Sequence, residues 1–193
     1  PSIFLANEFF DAIPIKQFLK SKNNWFEKFV HISKNNKIQF TKKKINIKKI
    51  EKKTEFKISN KQNFIEYSPL GLKYLKDIFR LIKKNDGGIL IIDYGYFDEK
   101  MQNTLQAIYK QKYSKVLENI GKSDITYNIN FYFFKKIAEN FKELNINFTS
   151  QKKFLTNLGI LQRAEIIGKN KTFSETSDIF YRLKRLIDKK EMG

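Results

Sequence analysis

Apolar positions along this chain switch between short continuous runs and a helical period, and the switches predict its elements. The run Ile3-Phe4-Leu5 leads into Ala6-Asn7-Glu8-Phe9-Phe10-Asp11-Ala12-Ile13-Pro14. A short apolar run bounded by turn residues predicts a buried strand, here delivering Asn7, Glu8 and Asp11 at its C-terminal end. Residues 15–19 and 25–32 are β-prone runs around Ser21-Lys22-Asn23-Asn24, the signature of a hairpin, and residues 37–41 extend it as a third strand. Residues 42–62 are Lys-rich with sparse apolar positions and read as an exposed loop. At Ser68 the period changes. Ser68 caps, Pro69 suits the first helical position, and Leu72, Leu75, Ile78, Phe79 and Ile82 form one helical face. Asn85-Asp86-Gly87-Gly88 stops that helix before the aliphatic run Ile89-Leu90-Ile91-Ile92, which has the character of a central parallel strand and ends in Asp93-Tyr94-Gly95-Tyr96. This is half of a βαβ unit. It makes the opening strand and residues 89–93 neighbours and sets Glu8 and Asp93 on one rim.

The remaining pattern is weaker. Residues 98–122 read as a helix followed by a loop closing at Gly121, and Ser123-Asp124-Ile125-Thr126 as a turn or cap. Phe133, Phe134, Ile137, Ala138, Phe141 and Leu144 form a helical stripe belonging to a core. Residues 146–149 alternate like a strand, and residues 151–158 form a short helix ending at Gly159. Ser174 caps a last helix carrying Ile179, Phe180, Leu183, Leu186 and Ile187. No internal repeat occurs. The 193 residues suffice for a single domain with a sizeable core.

Composition narrows the chemistry. With no cysteine, disulfides, thiolate metal sites and cysteine nucleophiles are excluded, which fits a reducing compartment. The lone His31 has no partner for a metal site and reads as a surface residue at a strand end, so no metal is expected. No apolar run approaches the roughly 20 residues that cross a bilayer. The opening Pro1-Ser2, without initiator Met or signal peptide, reads like the interior of a longer protein. A formal charge of +18 raises the question of nucleic acid. Against it, the basic residues are Lys apart from Arg80, Arg163, Arg182 and Arg185, and Lys, Asn and Ile are abundant together, as A- and T-rich codons alone produce. A nucleic-acid-binding module therefore stands third among the functional readings. No Walker loop, His-Glu-x-x-His, Gly-x-Ser-x-Gly elbow or glycine-rich dinucleotide fingerprint is present.

The polar residues at the two strand ends have two readings each. Asn7, Glu8 and Asp11 form either a capped turn, stopped by Pro14, or a site at the carboxyl end of a strand, where open α/β sheets bind ligands. Asp93 either caps nearby backbone N–H groups or belongs to the same site.

An ordered set of motifs then resembles the MidA family of class I S-adenosylmethionine-dependent methyltransferases. The set comprises Ala6-Asn7-Glu8-Phe9-Phe10-Asp11-Ala12-Ile13-Pro14, Trp25-Phe26-Glu27, Gly87-Gly88-Ile89-Leu90-Ile91-Ile92-Asp93-Tyr94-Gly95-Tyr96, Thr104-Leu105-Gln106-Ala107, Gly121-Lys122-Ser123-Asp124-Ile125-Thr126 and Gln151-Lys152-Lys153-Phe154-Leu155-Thr156-Asn157-Leu158-Gly159-Ile160. The family includes the mitochondrial complex I assembly factor that methylates an arginine of a complex I core subunit. The resemblance implies an α/β, Rossmann-like methyltransferase sheet with an inserted β-hairpin. Residues 3–6 would be its fourth strand, 89–93 its fifth and 146–149 near its sixth. Met192-Gly193 would be the turn into a last strand, and the N-terminal half with the glycine-rich cofactor loop would lie outside this chain. It implies S-adenosyl-L-methionine as cofactor, touched here by Asn7, and a protein arginine as acceptor. Glu8 and Asp11 are then the catalytic guanidinium partners, with Asn7 orienting the loop. Phe9, Phe10, Pro14, Asp93, Tyr94 and Thr126 would line the substrate. The implied partners are a protein substrate, such as a complex I core subunit, and the missing half-domain; the implied location is a bacterial cytoplasm or the mitochondrial matrix. An inactive fragment or non-catalytic interaction remnant is the alternative. Two departures touch the implied substrate rim: Gln111 stands where the family commonly has His, and Asn128-Ile129-Asn130-Phe131 replaces His-Val-Asp-Phe.

Overall fold

A computed structural model describes residues 1–58 and 62–192. The chain divides into two compact units, Pro1–Leu144 and Asn145–Gly193, where the sequence reads as a single domain. The division falls between Leu144, the last residue of the stripe read as a helix, and the stretch 146–149 read as a strand, where the pattern carries no linker.

The first unit begins with β1 (Ser2–Asn7) and the antiparallel strands β2 (Lys16–Ser21), β3 (Asn24–Ile32) and β4 (Ile38–Ile45). The predicted hairpin is present, with Lys22-Asn23 as its turn and Ser21 opposite Asn24. Next come α1 (Ile47–Thr54), β5 (Phe64–Tyr67), α2 (Pro69–Asn85) and β6 (Gly87–Ile92). β5 completes a four-stranded sheet in the order β4-β3-β2-β5. β1 and β6 pair in parallel from Ser2↔Gly87 to Asn7↔Ile92, as the βαβ reading requires. Their start depends on Gly87, whose φ is +127° and where a Cβ would lie 1.9 Å from the Ser2 carbonyl oxygen. Helix α2 begins as predicted: the Ser68 hydroxyl accepts from Gly71 N at 2.9 Å and donates to the Pro14 carbonyl at 2.8 Å. One side chain thus caps the helix and ties down the end of the 7–14 loop.

Short strands follow: β7 (Gly95–Tyr96), β8 (Gln106–Tyr109), β9 (Lys112–Ser114), β10 (Asp124–Thr126) and β11 (Ile129–Asn130), then α3 (Phe131–Glu139). β7 pairs with β11 in parallel, and β10-β8-β9 form an antiparallel sheet. Phe10, Phe18, Leu75, Ile129 and Ile137 are the largest fully buried side chains among the described residues of this unit. Phe10 meets Phe134 edge-on at 5.2 Å, which joins the 7–14 loop to α3. The second unit is three helices, α4 (Gln151–Asn157), α5 (Ile160–Gly168) and α6 (Phe173–Ile187), with Ala164 and Leu183 buried among them.

Several sequence expectations are corrected. Residues 42–62 are not a loop throughout: β4 runs to Ile45 and α1 follows, capped by Asn46 accepting from Lys48 N at 3.0 Å. The sparse apolar residues there suffice because Ile47, Ile50 and Thr54 fall on one helical face. Residues 59–61 of that stretch lie outside the described residues. The helix read within 98–122 is instead the β8–β9 hairpin, whose turn residues Lys110 and Gln111 both have positive φ, +48° and +62°. That is a type I′ turn built without Asn or Gly, so its usual signature is missing. Residues 124–126 are strand β10, paired with β8, not a turn. Residues 146–149 form no strand; alternation marks a strand only where a neighbour completes the ladder. The last helix is capped by Thr172, not Ser174, through a capping box with Glu175. The helix α5 that follows Gly159 went unread.

Candidate functional site

The ends of β1 and β6 bring the singled-out polar residues together. Glu8 N still donates to the Ile92 carbonyl at 2.8 Å, so the ladder holds up to Glu8, where the backbone turns with φ +44°. A non-glycine residue in this left-handed region is strained by roughly 1–2 kcal/mol. Such strain persists where surrounding contacts fix it, and it clusters at functional sites. Those contacts come from Asp93. Its Oδ2 accepts from Phe10 N at 2.9 Å and Asp11 N at 3.3 Å, and its Oδ1 accepts from Tyr94 N at 2.9 Å. Asp93 is therefore a positioning residue that clamps the loop from the neighbouring strand. The loop is thus a capped turn, and the same turn sets the Glu8 and Asp11 carboxylates at the rim.

Above this clamp, Glu8 is exposed and hydrogen-bonded by the Tyr94 phenol. Asp11 is 6% exposed, with its own backbone N–H and that of Ala12 near enough to favour its charged form. Three groups show the electrostatic character of the rim. Burial first, then the charge of Asp11, pushes Asp93 up to about 6, overriding its three backbone hydrogen bonds. Burial first, then Glu8 and Asp124, raises Asp11. Burial raises the phenol of Tyr127, followed by the charges of Asp93, Glu66 and Asp11. Glu8, Asp11 and Asp93 thus gather at the ends of β1 and β6, and Glu66, on β5, acts on the same Tyr127 phenol as Asp11 and Asp93.

Other expected residues divide. Asn7 is exposed at the end of β1, and Phe9 is 43% exposed with its ring against Phe10 and Tyr74. Tyr94 is 44% exposed. Phe10 is fully buried, so it cannot line a substrate; it is the core anchor of the loop. Pro14 is exposed, and its carbonyl is taken by Ser68. Thr126 is half-buried in β10, where its hydroxyl accepts from Gln106 Nε2 at 3.2 Å. Of the two departures, Gln111 sits in the β8–β9 turn, and Asn130 caps α3 through Phe133 N while donating to the Asp98 carbonyl.

Sequence reasoning missed a buried polar network beside the rim. Glu66 on β5 is 5% exposed; its Oε1 accepts from Thr104 N at 3.0 Å and from the Thr104 hydroxyl, and its Oε2 accepts from Gln17 Nε2 at 2.5 Å. Lys28 Nζ donates to Gln17 Oε1 at 3.0 Å, and the Thr104 hydroxyl accepts from Asn128 N at 2.9 Å. This network fixes the start of the Thr104-Leu105-Gln106-Ala107 motif to the four-stranded sheet. The only advance signal was an acidic residue inside the apolar run Phe64-Ile65-Glu66-Tyr67.

A parallel strand pair joined through a helix, with carboxylates at its carboxyl rim, makes this an α/β protein. Residues 1–148 match the family model described as "Putative S-adenosyl-L-methionine-dependent methyltransferase". The chain belongs to that family of S-adenosylmethionine-dependent methyltransferases, the family its ordered motifs resemble. It is similar to the protein arginine methyltransferase NDUFAF7, mitochondrial, of Danio rerio, at 27% identity over 100% of this chain and 45% of that protein. The Caenorhabditis elegans homologue is 28% identical over 84% of this chain and 38% of that protein. The chain thus spans less than half the length of the curated relatives it matches. Two crystal structures from Burkholderia thailandensis share the fold. One, bound to S-adenosyl-homocysteine, has a TM-score of 0.79 at 19% identity over 99% of this chain and 50% of that chain. The other, a native structure, has a TM-score of 0.82 at 20% identity over 99% of this chain and 52% of that chain.

Proposed function

We propose that this chain supplies the acceptor side of an S-adenosylmethionine-dependent protein arginine methyltransferase. The observation that carries the reading is the clamped rim: Glu8, held at positive φ beside the buried Asp11, with Asp93 fixing the loop beneath them. A guanidinium is always charged at neutral pH and its charge is delocalised, so each nitrogen is a weak nucleophile. Carboxylates on one side localise that charge and aim one nitrogen. In this reading Glu8 and Asp11 pair with the guanidinium, Tyr94 holds Glu8, Asp93 holds the loop, and Phe9 and Thr126 border the acceptor. The names of the relatives point to the same substrate class.

The rim also fits the cofactor's charge. Residues 7–14 carry carboxylates and an amide with no basic side chain, a donor set suited to a sulfonium as well as a guanidinium. When bound, the cofactor supplies an electrophilic methyl group, and Asn7 is the residue of this chain that would touch it. On β1, Ile3 is 89% and Leu5 70% exposed, unlike the strands of a parallel sheet covered on both faces. We read this as a sheet that continues into the remainder of a Rossmann-like methyltransferase domain, which would carry the glycine-rich cofactor loop. We extend the reading to a complex I core subunit as acceptor and to the mitochondrial matrix or a bacterial cytoplasm as location, as the family resemblance implies; the relatives' names support only a mitochondrial setting. Among the described residues no helix is long and apolar enough to cross a membrane.

The experiment is methyl transfer to an arginine-containing protein acceptor by the full-length protein. Glu8→Gln is expected to lower turnover at least a hundredfold while leaving the calorimetric affinity for S-adenosylmethionine unchanged; equal turnover removes Glu8 from the mechanism. The short span relative to the relatives supports a second reading, a non-catalytic piece that binds a partner. Absence of S-adenosylmethionine binding to this chain alone, alongside binding to the full-length protein, selects it for the isolated chain.

A further inference from the structure

The outer part of the β3–β4 ribbon has no role in the rim chemistry. In an antiparallel ladder, directly opposed residues share a face and the faces alternate along each strand. The pairs Lys28↔Lys42, Val30↔Phe40 and Ile32↔Ile38 therefore lie on one face. That is also the face on which Gln17 opposes Glu66, as the hydrogen bond from Lys28 to Gln17 shows. The other face carries Phe18 and Trp25 into the core. Towards the tip, the first face is bare: Val30 is 58% and Ile32 61% exposed, with Phe40 at 39%. Its charge is one-sided. From Lys28 to Ile50 the chain holds eight lysines and no acidic residue, although acids occur through the rest of the sequence.

We propose that this face of the β3–β4 ribbon docks an extended protein segment that presents acidic and aliphatic side chains together on one side. Val30, Ile32 and Ile38 would take the aliphatic positions, and Lys28, Lys42 and Lys44 the carboxylates. A second copy of this chain does not fit, because it would set lysine ribbon against lysine ribbon in a protein of charge +18. Nucleic acid fits less well. Bases bind single-strand surfaces by stacking on aromatic rings, yet the bare residues are mainly aliphatic and the Phe40 ring is already faced by Lys28 Nζ at 3.8 Å from its centre. The five residues from Lys28 to Ile32 span about 13 Å at the usual rise of a strand, matching a short extended peptide. The buried row Lys28–Gln17–Glu66 connects this face to the segment at Thr104. A docked protein would thus extend from the ribbon towards the carboxylate rim.

The test is fluorescence anisotropy with this chain and three labelled probes: a peptide repeating Glu-Glu-Leu-Ile, which sets acidic and aliphatic side chains together on each side of an extended strand, one repeating Glu-Glu-Ser-Ser, and an oligouridine. The acidic–aliphatic peptide is expected to bind at least tenfold more tightly than either other probe. Val30→Ser combined with Ile32→Ser should erase that preference, and Lys42→Glu should weaken both peptides. A benzophenone at position 32 should cross-link the peptide and one at position 31, on the opposite face, should not; this holds even if the serine variants fold poorly. Equal binding of the Glu–Ser peptide, tighter binding of oligouridine, or equal cross-linking from positions 31 and 32 overturns the proposal.

Discussion

Asp93 decides how the carboxylate rim is held, because it accepts from three backbone N–H groups in two chain segments. Hydrogen bonds to a carboxylate favour its charged form, whereas burial and a neighbouring Asp11 oppose it; here burial wins and the group titrates at about 6. The sign of the pH effect follows. An acid whose folded-state pKa is raised binds more protons folded than unfolded, so its contribution is full below the ordinary value near 3.8 and is lost as pH rises through about 6. Urea denaturation at stepped pH should therefore show stability declining between about pH 4 and 6. Asp93→Asn should flatten part of this decline, leaving the part of the same sign from Asp11. It should also cost about 1–3 kcal/mol near pH 7, since its NH2 group faces backbone donors. An unchanged pH profile in Asp93→Asn refutes the clamp. Residues 7, 8, 11 and 93 were legible in the sequence because each is a polar group at the end of an apolar run. Glu66 was not, because its partner Thr104 lies 38 residues away and its burial depends on that contact.

At the level of elements, local chemistry decided what could be read. Helix α2 was legible at both ends: Ser68 and Pro69 start it and Asp86-Gly87 stop it. Ser68 does more than a cap requires, since its hydroxyl also donates to the Pro14 carbonyl and the residue is 5% exposed. Ser68→Ala should thus cost about 2 kcal/mol, above the typical loss of roughly 1 for a cap alone. It should also raise hydrogen exchange of the loop amides at 9–13. Thermal melts with exchange mass spectrometry check both, and a loss confined to the helix refutes the link between cap and loop. The elements that escaped reading lacked such local marks. The β8–β9 turn uses Lys110-Gln111 at positive φ, and residues 146–149 have the alternation of a strand but no strand beside them. Both depend on the neighbour an element finds, which pattern along one chain does not encode.

For the whole molecule, two opposing surface properties determine behaviour in solution. One face of the β1–β6 pair carries Ile3 and Leu5, 89% and 70% exposed, with Leu90 at 37% opposite Leu5. Contiguous bare aliphatic surface on a short parallel sheet favours association. The charge of +18 opposes association through repulsion between copies. Repulsion is screened over about 10 Å at 0.1 M salt and about 3 Å at 1 M, whereas apolar contact is not weakened by salt. Raising salt should therefore shift this chain from monomer towards oligomers, the reverse of an assembly held by ion pairs. Sedimentation velocity at roughly 0.05 and 0.5 M salt reads the shift. Leu5→Lys combined with Ile3→Lys should keep the chain monomeric at both, with an unchanged circular dichroism spectrum. The same test bears on the continued sheet, because a longer protein that covers this face should stay monomeric across the same range. Association that weakens as salt rises places the contact elsewhere, on charged surface, and removes the argument that β1 awaits a covering layer.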